Sequence, residues 1–115
     1  AIVVCGPKPA TVGYVDPGFA LAKAVQTELV RFTEAEGTLP KVLLMENHGP
    51  VALGQSAQEV LNIMLMLDKW AKTLLGTYQV AEPKFLAQAD TDRIDSRSDE
   101  AYRRKQLVQN PLKVS

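Results

Sequence analysis

Val42-Leu43-Leu44-Met45 is an unbroken apolar run, preceded by Pro40 and followed by the polar turn Glu46-Asn47-His48-Gly49-Pro50. The run does not alternate, as expected for a strand covered on both faces. A chain built around such a strand needs a layered α/β fold, with helices packed on a sheet.

The rest of the chain supplies the layers. Residues 1–5, Ala1-Ile2-Val3-Val4-Cys5, read as a buried strand of β-branched residues stopped by Gly6-Pro7-Lys8-Pro9. Residues 11–15 form a second short extended piece. Asp16-Pro17-Gly18 reads as a helix entry, with Asp16 as N-cap and Pro17 at the first helical position, where its missing N–H costs nothing. The helix that follows carries Leu21, Ala22, Val25, Leu29 and Phe32 on one face, Gly37 ends it, and Pro40 prevents a restart. Residues 41–46 are the doubly covered strand, and Val51-Ala52-Leu53 a short one. Ser56-Ala57-Gln58-Glu59 is a capping box at the head of a long helix. That helix bears Val60, Leu61, Ile63, Met64, Leu65, Leu67, Trp70, Ala71, Leu74, Leu75 and Tyr78, on more than one face, so broad burial against a sheet and another helix or subunit is expected, with Met64 and Leu65 as core fillers. After Pro83 the chain turns polar. Ser96 or Ser98 caps a terminal helix through Glu100, Tyr102 and Lys105, which Asn110-Pro111 closes.

Composition narrows the class. At 46% hydrophobic and 23% charged the chain is too apolar to be disordered. Thirteen basic residues balance thirteen acidic ones, which gives no electrostatic case for nucleic acid or an anionic membrane. No window is long and apolar enough to span a bilayer. Cys5 is the single cysteine, so no internal disulfide forms, and a reducing cytoplasmic setting is the default expectation. The opening on an apolar run without a methionine, the expectation of only three strands and the over-apolar long helix together point to a piece of a larger domain.

His48 is the only histidine. An imidazole at a strand end is well placed to bind a metal, but structural zinc takes four protein ligands and catalytic zinc usually three plus water. Either His48 is structural, or the rest of its site lies on other polypeptide.

The order Lys41-Val42-Leu43-Leu44-Met45-Glu46-Asn47-His48-Gly49-Pro50-Val51-Ala52-Leu53-Gly54, with a capped helix behind it, resembles the class II aldolase/adducin family. Tyr14-Val15-Asp16-Pro17-Gly18-Phe19 resembles the family's upstream Pro-Gly helix start. Glu82-Pro83-Lys84-Phe85-Leu86 and the stretch from Arg93-Ile94-Asp95 through Asp99-Glu100-Ala101-Tyr102-Arg103 are similar to the tail of some members. The resemblance implies a three-layer α/β/α class II aldolase-like domain of which only the C-terminal half is present, over residues 1–82, with a helical tail over 83–115. It implies that His48 is the third histidine of a divalent metal site, usually zinc, whose first two form a His-x-His pair earlier in such proteins. The implied activity is aldol cleavage of a sugar phosphate or small hydroxy-carbonyl compound through a metal-stabilised enediolate. The implied assembly is a homo-oligomer, commonly a tetramer. Tyr102 resembles the C-terminal tyrosine that some aldolases use as a proton donor, against the ordinary reading of a packing tyrosine on an amphipathic helix. Glu46 reads as a polar contact at the strand end rather than a base.

Two other readings stand beside this one. An epimerase, dehydratase or decarboxylase would use the same fold and metal. The adducin branch uses the fold as a non-catalytic oligomerisation and interaction module.

Overall fold

The computed structural model describes residues 1–109, so the expected close of the last helix at Asn110-Pro111 lies outside the described residues. The elements run α1 (Ile2–Cys5), β1 (Ala10–Val12), α2 (Phe19–Glu36), β2 (Val42–Met45), β3 (Gly49–Ala52), α3 (Ala57–Val80), α4 (Gln88–Asp95) and α5 (Ser98–Gln109). The fold is mixed α/β. Its sheet has the order β1-β2-β3, with β1 parallel to β2 and β3 antiparallel to it. Central position explains the lack of alternation in β2: Val42 and Leu43 are each 1% exposed although they point to opposite faces.

Two apolar clusters meet at β2. Val42 packs with Val4, Cys5, Ile63 and Leu67, and Leu44 and Leu107 lie against this group. Leu43 packs with Ala10, Val12 and Phe32, and Leu21 and Val25 of α2 close over them. Gly37 ends α2 in the left-handed conformation (φ 74°), its N–H bonding the Thr33 carbonyl, as the sequence indicated.

Three expectations are corrected. The first apolar run is a single helical turn, not a strand. The Ala1 carbonyl accepts from the N–H of Val4 and of Cys5, and Gly6 closes the turn at φ 83°. Val4 and Cys5 find burial under α3, where the Cys5 thiol reaches the Ile63 carbonyl at 3.8 Å. Burial, not strand pairing, was what the run required. Second, Asp16 caps nothing. Gly18 (φ 132°) is the residue before α2, without a side-chain cap, and Pro17 stands outside the helix. Third, α3 is buried along one stripe, Asn62, Ile63 and Leu67, whereas Met64 is 38% exposed and fills no core.

The serine half of the capping box forms as expected, and the Glu59 carboxylate reaches one residue further back than the box requires. Ser56 Oγ accepts from the Glu59 N–H at 3.1 Å, and the Glu59 carboxylate reaches back to the Gln55 N–H at 2.8 Å and takes Lys41 Nζ at 3.0 Å. Polar residues 88–95 fold as α4, a helix the sequence reading did not anticipate. The Arg104 guanidinium ties α5 to the Val3 carbonyl and to Asp95.

Candidate functional site at the turn between β2 and β3

Met45 pairs with Gly49, so Glu46, Asn47 and His48 form a three-residue hairpin loop. Asn47 lies in the left-handed region (φ 58°), which asparagine tolerates, and Gly49 follows at φ 121°. The His48 N–H bonds the Met45 carbonyl at 3.1 Å, and the Glu46 N–H bonds Val12 at 3.0 Å, fastening the loop to the end of β1.

The histidine ring is exposed but not loose. Its Nδ1 lies 3.3 Å from the Glu46 carbonyl. A carbonyl only accepts, so in the neutral ring this contact favours the Nδ1–H tautomer, in which the Nε2 lone pair is available. Metal-ligating histidines are commonly oriented this way, by a hydrogen bond from the other ring nitrogen. The Tyr14 ring lies beside it, centroids 6.0 Å apart and tilted by 33°. Tyr14 is held twice. Its N–H bonds Glu46 Oε2 at 3.1 Å, and its hydroxyl donates to Asp16 Oδ1 at 2.9 Å.

The structure therefore gathers Tyr14, Asp16, Glu46 and His48 at one end of the sheet. Glu46 makes the polar contact expected of it. Asp16 is an acceptor for Tyr14. Tyr14 was not singled out as a site residue, because its nearness to Glu46 follows from the parallel pairing of Val12 with Met45 across a long helix. Tyr102 is 63% exposed on α5, a helix anchored at Val3 and Asp95, and its hydroxyl makes no hydrogen bond among the described residues.

Among the described residues no three His, Cys, Asp or Glu side chains are gathered to hold a metal ion. His48 fits such an ion as one donor, with its second nitrogen already oriented. The Cys5 thiol does not join it, because burial pushes its ionisation up and the side chain faces α3. A cavity of about 420 Å³ lies between α1, α3 and the Phe85-Leu86 segment. None of the four clustered residues lines it. It is an apolar gap with Trp70 and Leu67 in its wall, and the polar chemistry lies elsewhere.

The sequence model of the Class II Aldolase and Adducin N-terminal domain matches residues 3–75, more than half of the chain. The chain belongs to this family. The match takes in the whole sheet, α2, the His48 turn and most of α3. No curated protein and no solved structure matches the chain. In this class II aldolase/adducin domain the Asn-His-Gly turn holds the lone histidine, with its Nδ1 against the Glu46 carbonyl.

Proposed function

We propose that the chain contributes His48 to the metal centre of a class II aldolase-like enzyme acting on a sugar phosphate or small hydroxy-carbonyl compound. The observation that supports this most directly is the contact of His48 Nδ1 with the Glu46 carbonyl, in a chain of this family, because the neutral tautomer it favours presents Nε2 to a metal. In this reading the remaining ligands come from polypeptide outside this sequence, and the metal is zinc. A zinc ion bound there would polarise substrate oxygens and so favour carbon–carbon cleavage. This chain's part is to hold the imidazole at the mouth of the sheet and to present Tyr14 and Asp16 beside it. The two apolar clusters either side of β2 support a three-layer arrangement with α2 on one side and α1 and α3 on the other.

The adducin-like reading has an observation of its own. Leu75, Tyr78 and Val80 leave the end of α3 with exposed apolar area, at 64%, 57% and 85%. A face of that kind suits a homo-oligomer, which the aldolase reading also expects as a tetramer.

The natural gene product decides between them. Its intact mass and sequence, bound zinc and aldol-cleavage activity are measured, with and without His48→Ala. A His-x-His pair, bound zinc and cleavage that His48→Ala removes are the expected results. A stable oligomer that holds no zinc and cleaves nothing overturns the enzymatic reading in favour of the adducin-like one.

A further inference from the structure

Glu46 holds two things at once. Its carbonyl receives His48 Nδ1, and its carboxylate receives the N–H of Tyr14. The strands do not need the second bond to stay together, because the Glu46 N–H already bonds Val12 across the same gap. What the carboxylate adds is placement. It fixes the main chain of Tyr14 so that the phenol ring lies against the imidazole, while Asp16 pins the hydroxyl at the other end. An exposed histidine on a three-residue loop would otherwise turn freely among its rotamers.

We infer that Glu46 and Tyr14 form a clasp that positions the His48 ring, holding it in the Nδ1–H tautomer with Nε2 free. Tyr14 and Glu46 are positioning residues here: they act through His48. The purpose of the clasp rests on the proposed metal-ligand role of His48. The geometry of the clasp does not.

The chain's single histidine makes the test direct. Long-range proton–nitrogen spectra of the ¹⁵N-labelled protein, taken where the ring is neutral, report one imidazole and its tautomer. The Nδ1–H form is expected to dominate in the parent. It should lose that majority in Tyr14→Ala and in Glu46→Ala, and keep it in Tyr14→Phe and Glu46→Gln, which retain the ring and the acceptor. Tyr14 is 54% exposed and belongs to neither apolar cluster, so the core survives its removal, and the backbone amide spectrum verifies this. A dominant Nε2–H form in the parent overturns the inference. So do ring shifts that neither alanine variant moves. Zinc affinity of the natural gene product is read separately. A clasp that sets the ring in a protein that binds no zinc supports this inference and removes the proposed function. Zinc binding with a ring indifferent to both variants does the reverse.

Discussion

Asn47 occupies the left-handed region at φ 58°, where an ordinary L side chain is strained by roughly 1–2 kcal/mol and a β-branched one fits worst. Asn47→Val is therefore expected to destabilise the protein by about 1–2 kcal/mol, and Asn47→Gly to be close to neutral, as read from denaturant midpoints. Two glycines offer a second comparison. A Cβ on Gly54 would lie 3.1 Å from Glu59 Cγ and 3.2 Å from both Glu59 Cβ and Val60 Cγ2, whereas one on Gly13 would meet only Glu46 Oε2 at 3.9 Å. Gly54→Ala should cost about 1–3 kcal/mol by overpacking, and Gly13→Ala should leave the midpoint unchanged. At this scale the sequence revealed His48 and the turn it sits in, because Asn-His-Gly-Pro after an apolar run is a local signal. It did not reveal that Tyr14 would lie against His48. That nearness depends on which residue of β1 faces which residue of β2, and no local pattern encodes it.

The elements separate into those with a local stop signal and those without. Ser56 caps α3 as the sequence required, and Ser56→Ala is expected to cost about 1 kcal/mol on thermal or chemical unfolding. Glu59 adds a pH dependence. The Gln55 N–H, and then Lys41, hold its carboxyl below the usual range. A depressed folded-state value means that the stabilisation is fully present above the unfolded value of about 4.3 and is lost as pH falls through the lower folded one. Glu59→Gln should be less stable than the parent at neutral pH, and the gap should start to shrink below about pH 4.3 and close only once pH has fallen through the lower folded value, when unfolding is followed across that range. The first apolar run misled for a physical reason. Five β-branched and small residues favour a strand only when a neighbouring strand is there to pair with, and here β1 pairs with β2 while α3 offers the apolar cover. Residues 88–95 misled in the opposite direction. Their helix is polar, with Gln88 bonding Asp92 and Arg93 bonding Asp90, so no apolar stripe announced it.

The whole molecule is more open than its length requires. Its radius of gyration is 15.1 Å, against about 13 Å for a compact chain of 100 residues. The core lies on both faces of β2, and Ile63 is fully buried in the cluster beneath α3. Ile63→Ala should cost about 2–5 kcal/mol. Leu75→Ala, at a position 64% exposed, should stay within about 0.5 kcal/mol when the chain is unfolded alone. A large loss at Leu75 would mean that a second copy of the chain covers the end of α3. The sequence by itself determined the covered strand β2, the capped start of α3, the end of α2 at Gly37 and the place of the only histidine. Each of these is written in contacts between residues a few positions apart, or in the period of the apolar residues. Only the tertiary structure decided that the first run is a helical turn, that α3 buries a single stripe, and that Tyr14 and Glu46 close on His48. Those outcomes depend on which distant segments supply apolar cover and hydrogen-bond partners, and chain neighbours alone do not specify them.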